Sequence, residues 1–332
     1  MTSIPSAAEI REPILLPDLP IIDSHIHLWD CAGYSFFAAD FLADIARGHR
    51  VEASVYVECG MAYSADPRPG FAPVGETEYV HDQIAEGAKI NPDHRLAAGI
   101  LGCVDLLLAE GVGPVVEAHV AAGRGRFKGV RSRVAWDADP VAGYGETGYY
   151  PDANVVNDPR YLAGAKCLLD MGHTLEIWAL HPQMDAIRSF AAKIPDHRII
   201  VNHVGGPIGV GRYAADRAGV FRDWSAAIRR LAELPNVQMK IGGLGITRMG
   251  FDFPGGQASS SDQLVEAWAP YVATCIDAFG PSRCIFGSNY PVDRRVAPYA
   301  ILLNAYKKML SGLSAGELAA VFAENARACY RL

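Results

Sequence analysis

Near-continuous apolar runs alternate with amphipathic stretches along most of this chain. Eight runs read as strands: Ile21–His27, Val51–Glu58, Leu96–Cys103, Phe127–Arg133, Thr174–His181, Arg198–Val204, Val237–Ile241 and Arg283–Ser288. Their apolar residues are nearly unbroken rather than alternating, as strands covered on both faces require. Between them the spacing predicts helices over Thr77–Ile90, Leu106–Ala122, Pro159–Met171, Pro182–Ile194, Phe221–Leu234, Ser261–Phe279 and Pro298–Leu310. Ser314 to Tyr330 forms a closing helix, opened by a capping box of Ser314 and Glu317. Eight strands with helices between them predict an α/β fold of (β/α)8 TIM-barrel type. A doubly wound sheet is the alternative, but no Gly-x-Gly-x-x-Gly turn follows an early strand; Gly60-Met61-Ala62-Tyr63 stands there instead. No linker divides the chain, so residues 1–332 read as one domain, with 1–20 as an N-terminal extension.

Composition narrows the functional classes. The 332 residues are 50% hydrophobic and 20% charged, with a formal net charge of -7, which describes a globular chain with a mildly acidic surface. No basic block marks a nucleic-acid partner. No run approaches the roughly 18 apolar residues of a membrane span, and the first twenty residues lack a signal-peptide core. The seven cysteines are scattered without a Cys-x-x-Cys pair, so a reduced cytoplasmic protein is expected. A homodimer is an admissible assembly, with the aromatic C-terminal part as a contact.

The chemistry is expected where strands end, since barrel strands converge on one mouth. The first run delivers His25 and His27 on one face, with Asp23 one step deeper. The second ends at Glu58. The fourth carries Lys128, Arg131 and Arg133, followed by Trp136 and Asp137. The fifth carries Glu176 and Trp178 and ends at His181; the sixth ends at Asn202-His203; the seventh carries Lys240; the eighth ends at Ser288-Asn289-Tyr290 with Asp293 beyond. Imidazoles from three strands suit a divalent ion, zinc or manganese, or the polarisation of a carbonyl. Against this stand structural readings: a hydrogen-bonded pair for His25 and His27, a helix-start residue for His181, and a loop anchor for His203. Arg131 and Arg133 suit bidentate binding of a carboxylate, or salt bridges that brace the barrel. Trp136 and Trp178 wall a pocket or fill the core. The Gly-rich segments 205–221 and 242–261 follow strands, as substrate loops do. His49, His81, His94, His119, His173 and His197 read as non-catalytic.

The chain resembles the amidohydrolase superfamily, in the amidohydrolase-related branch that includes lactonases. The motifs are Ile22-Asp23-Ser24-His25-Ile26-His27, Gly129-Val130-Arg131, His181-Pro182-Gln183, Val201-Asn202-His203-Val204-Gly205-Gly206-Pro207 and Phe286-Gly287-Ser288-Asn289-Tyr290-Pro291-Val292-Asp293. The resemblance implies a metal held by His25, His27 and His181, and a substrate-polarising role for His203. It also expects an aspartate where this chain has Asn289, which offers an amide oxygen but cannot be a general base. Some lactonases of the branch work without a metal, so both routes stay open.

The expected activity is hydrolysis of a lactone or similar cyclic ester of a carboxylated small molecule. Candidate bases are Asp293, Glu58, His203 and Glu176, in that order. Arg131, Arg133, Trp136, Glu176, Trp178 and Tyr290 are the candidate substrate contacts. Non-oxidative decarboxylation of an aromatic or unsaturated acid and a catalytically silent ligand-binding barrel are the alternatives.

Overall fold

The computed structural model describes residues 12–31, 33–144, 149–150, 152–258 and 260–332. Most of the expected extension 1–20 therefore lies outside the described residues. Strand β1 (Ile21–Ile26) is followed by a small antiparallel hairpin, β2 (Trp29–Cys31) and β3 (Tyr34–Phe36), and by helix α1 (Ala38–Ile45). Then come β4 (Val51–Val57), α2 (Val74–Ile90), β5 (Arg95–Gly102), α3 (Val112–Gly123), β6 (Phe127–Arg133), α4 (Pro159–Asp170), β7 (Thr174–Trp178), α5 (Met184–Ala191), β8 (Ile199–Val201), α6 (Arg217–Ala232), β9 (Val237–Ile241), α7 (Ser261–Phe279), β10 (Cys284–Phe286) and α8 (Tyr299–Met309). Strands β1 and β4 to β10 form one parallel eight-stranded sheet in chain order, wrapped by the helices. This is the (β/α)8 barrel expected from the apolar pattern.

The barrel closes just beyond β10. Asn289 N donates to His25 O at 2.9 Å, His27 N donates to Tyr290 O at 2.7 Å, and Ser24 Oγ donates to Phe286 O at 2.6 Å. Buried Asp23 gathers the seam. Its Oδ1 accepts from Ser288 N (2.8 Å) and His25 N (3.2 Å), and its Oδ2 accepts from Tyr299 Oη at the start of α8 (2.8 Å). Burial raises its pKa, and the Ser288 and Tyr299 bonds oppose that rise.

Three predicted strands are shorter than expected by three residues or more, for local reasons. Strand β7 stops at Trp178 because His181-Pro182-Gln183 turns into a short 3-10 segment, and Pro182 has no N–H for a ladder. Gln183 Oε1 then accepts from Leu180 N and Trp136 N, tying two strand ends together. Strand β8 stops at Val201 because His203 and Val204 take left-handed backbone angles, φ +51° and +49°. Strand β10 ends at Phe286, with Asn289 at φ +59°. The hairpin and α1 were not anticipated; their three- and eight-residue lengths leave too little periodicity to read. Leu106–Gly123 has the length and mean hydropathy (1.2) of a membrane-crossing helix. It breaks at Ala109 (φ +52°), and its buried His119 is bonded to Thr77 Oγ1 and Cys103 O. The capping box of Ser314 and Glu317 opens the C-terminal helical segment as expected.

Residues 12–16 are strapped across the helices. Glu12 accepts from Ser261 N and Oγ, Asn304 holds Leu15 N, and Lys307 Nζ donates to Leu15 O and Leu16 O. Loss of the seam's hydroxyl should be costly. Tyr299→Phe leaves one oxygen of buried Asp23 without that donor, and a fall of about 1–3 kcal/mol in unfolding free energy is expected, checked by denaturant titration beside the wild type.

Candidate active site

The mouth of the barrel holds a cavity of about 280 Å³. Among its lining residues are His27, Trp29, Arg131, Arg133, Trp178, His203, Arg248 and Asn289. His25 lies fully buried beside it, its ring centroid 5.0 Å from that of His27 and 4.5 Å from that of His203. Trp178 meets His203 edge to face at 4.9 Å, and Trp29 stacks on His27 at 5.9 Å.

Each imidazole is positioned by local backbone. His27 Nδ1 is 2.8 Å from Val57 O, so it carries the proton and leaves Nε2 as the acceptor, with the Asn289 side chain beside it. His203 sits on a left-handed turn against Gly243, where an added Cβ would fall 2.1 Å from His203 Nδ1. Burial is the main force on all three rings and favours the neutral form. His25 and His203 fall well below the ordinary histidine range, with His203 and Lys240 next in effect on His25, and Arg131 and Lys240 on His203. His27 is lowered to about 3 by burial and then by Arg131.

The acids stand behind the lining, each with a partner. Glu58 Oε1 takes Arg131 Nε at 2.5 Å and Arg133 Nε at 3.1 Å, while Arg131 Nη2 donates to Glu58 O. Glu176 pairs with Lys240 at 2.6 Å and also accepts from Asn202 Nδ2 and the Tyr330 hydroxyl. Asp293 Oδ1 accepts from Asn289 Nδ2 at 2.8 Å and Oδ2 from Gly245 N at 3.0 Å. Burial raises Asp293 to about 7 against those two bonds.

Of the residues singled out in the sequence, the structure gathers His25, His27, His203, Asn289, Arg131, Arg133 and Trp178 at one place. Asp293 and Glu58 stand one layer back, holding Asn289 and the two arginines. Glu176 lies beneath, in the buried pair with Lys240. The remaining three are elsewhere. His181 Nδ1 accepts from Ile208 N at 3.2 Å, and its ring meets Tyr213. Tyr290 is a core ring whose hydroxyl donates to Ala297 O. Trp136 is fixed through its N–H to Gln183 and does not line the cavity. Trp29 and Arg248 were not anticipated. Arg248 lies in the Gly-rich loop after β9, and only the loop's position pointed to it. Its guanidinium stacks over Tyr144 at 3.8 Å and donates to Gly143 O.

The amidohydrolase family profile matches residues 22–332. The chain belongs to the amidohydrolase family. It is 27% identical to an L-fucono-1,5-lactonase of Burkholderia multivorans, over 94% of this chain and 96% of that one. An amidohydrolase of B. multivorans solved with bound zinc superposes with a TM-score of 0.67 at 25% identity, covering 94% of this chain and 99% of that one. A putative 2-pyrone-4,6-dicarboxylic acid hydrolase of Pseudomonas putida shares the fold, with a TM-score of 0.62 at 16% identity, covering 94% and 98% of the two chains. Hydrolase chemistry is thus the class to which this amidohydrolase belongs.

The zinc of that relative raises the question of whether these residues fit an ion. Among the described residues no three His, Cys, Asp or Glu side chains are grouped to hold one. The cations Arg131 and Lys240 bear on the imidazoles, no acid among the described residues lines the cavity, and His181 has a partner elsewhere. Two buried rings keep unpaired nitrogens, His25 Nε2 and His203 Nδ1, and Glu58 keeps an unpaired Oε2, but Arg131 and Arg133 already pair with that carboxylate, and two imidazoles among cations are not a divalent site of the expected kind. The residues do not fit the metal that the family implies.

The depressed histidines carry a sign. Below pH 6.5 the unfolded chain binds protons that the folded His27 refuses until about pH 3. Stability from His27 is therefore full above pH 6.5 and is lost as pH falls toward 3. Asp293 works oppositely, its contribution fading as pH rises from 3.8 to about 7. A His27→Asn variant should lose stability less steeply than the wild type between pH 6.5 and 4, as read from Tm against pH.

Proposed function

We propose that this amidohydrolase opens a lactone or similar cyclic ester that carries a carboxylate. The observation that carries the reading is the cavity lining, in which three guanidiniums face the space and, among the described residues, no acidic side chain does. Glu58 offsets one of the positive charges of Arg131 and Arg133. Arg248 donates to a carbonyl, so a surplus of positive charge awaits an anion. The likeness to an L-fucono-1,5-lactonase supports ring opening as the reaction.

The site's own groups supply each role. Arg133 and Arg248 take the carboxylate, and Trp29 and Trp178 wall the ring. Arg131 has two of its nitrogens engaged by Glu58, and Nη1 is without a hydrogen-bond partner among the described residues. That nitrogen stabilises the oxygen of the ester carbonyl as charge grows on it. Water attacks the carbonyl carbon and passes its proton to His27 Nε2. The tetrahedral species then collapses, the ring C–O bond breaks, and the ring oxygen leaves with the proton from His27. His27 is a weak base in the free site because burial and Arg131 oppose its charge. A bound carboxylate removes part of that opposition, so basicity rises once the right substrate is present. Asp293 acts through Asn289 by holding its amide.

A pH-indicator screen of lactones with and without carboxylates tests this. Ring opening is expected for carboxylated lactones, with no carbon dioxide released. Arg248→Met should raise KM for them by about 10- to 100-fold and leave a neutral lactone's KM unchanged. Turnover confined to neutral lactones, or release of carbon dioxide from an unsaturated acid, would replace the reading.

A further inference from the structure

We infer that Lys240 is a positioning residue that fixes the proton of His25 on Nε2, making His25 a hydrogen-bond donor beside the cavity and not a ligand for a cation. The catalytic part of this inference rests on the proposed ester hydrolysis; the proton's position does not.

The argument starts from Glu176. Its two oxygens accept from Lys240 Nζ at 2.6 and 2.8 Å, from Asn202 Nδ2 at 2.6 Å and from the Tyr330 hydroxyl. A group surrounded by donors is a carboxylate, and its fully buried partner Lys240 is the ammonium. An ammonium has three donors and no lone pair. One serves Glu176, one serves Ser24 O at 2.9 Å, and the third faces His25 Nδ1 at 3.4 Å. His25 Nδ1 is therefore an acceptor. A neutral imidazole that accepts at Nδ1 carries its proton at Nε2. That Nε2 is buried and has no protein partner.

The consequence separates the two histidines of the first strand. His27 gives its Nδ1 proton to Val57 O and keeps a lone pair on Nε2. His25, held the other way by Lys240, presents N–H. One motif thus presents opposite ends of its two imidazoles, an acceptor at His27 Nε2 for the water's proton and a donor at His25 Nε2 just behind the lining, each preorganised from behind. It also explains why the pair does not form an ion site, since a protonated Nε2 has no electrons for a metal.

The test is 15N–1H correlation spectroscopy on protein labelled at histidine nitrogen, with His25 assigned by the signal missing from His25→Gln. The expected result is a proton on Nε2 and none on Nδ1. The double variant Lys240→Met/Glu176→Gln removes the ammonium and the carboxylate together, so no charge is stranded. In it the Nε2 proton should give way to a mixture of tautomers. Binding of Zn2+ alone, measured by calorimetry, should tighten by roughly tenfold or more. Turnover of a carboxylated lactone should fall about 100-fold in kcat with little change in KM. A proton on His25 Nδ1 in the wild type, or equal zinc affinity in wild type and variant, overturns the inference. An Nε2 proton in a protein that opens no lactone upholds the role of Lys240 and removes only the proposed reaction.

Discussion

The site depends on the closure of the barrel along the line between β1 and the chain after β10. An eight-stranded parallel sheet has two edges unless the last strand meets the first. Here the meeting is made by short backbone bonds at His25, His27, Asn289 and Tyr290, with Asp23 gathering Ser288, His25 and Tyr299 around one carboxylate. The residues that close the barrel are thus the residues that furnish the site, or their immediate neighbours. Geometry at the mouth is inherited from the seam, which leaves little freedom for the first-strand histidines or for Asn289.

Electrostatics follows from which groups remain exposed to the cavity. Glu58, Glu176 and Asp293 are each bonded to a cation, amide or backbone N–H behind the lining. The lining itself holds arginines and neutral imidazoles. Burial is the largest influence on every one of those imidazoles, and nearby cations add to it. A neutral ring in a positive cavity is suited to accept or donate one proton while an anion is bound. A dication there would meet repulsion from Arg131 and Lys240, and the carboxylate beside them, Glu58, is already paired with Arg131 and Arg133.

Backbone strain concentrates at the same place. His203, Val204 and Asn289 all have positive φ, a conformation that side chains other than glycine adopt at a cost of order 1–3 kcal/mol. Glycines around them allow it. Gly206 and Gly243 leave no room for a Cβ, the first against Ala179 O and the second against His203. Trp224 Nε1 anchors the turn from behind by donating to Val204 O at 2.8 Å. The turns after β8 and β10 are held in shape by core packing and need not be stable alone.

The sequence by itself determined the alternation of elements, and with it the barrel, because apolar runs covered on both faces have few other arrangements. It also placed His25, His27, His203, Arg131, Arg133, Trp178 and Asn289 at strand ends, where a barrel gathers residues. It could not tell which polar groups would face inward. His181 ends up beside the mouth because β7 stops three residues short of it, Trp136 is held through its N–H by Gln183, and Tyr290 turns into the core. Asp293 and Glu58 became supports and not lining groups, since each meets a donor before it reaches the cavity. Arg248 and Trp29 entered from a loop and a short hairpin, segments without periodicity to read. Above all, only the tertiary structure decided the partners of each imidazole nitrogen. A proton's position depends on what lies within hydrogen-bond reach, and Lys240 and Val57 lie 215 and 30 residues from the histidines they face.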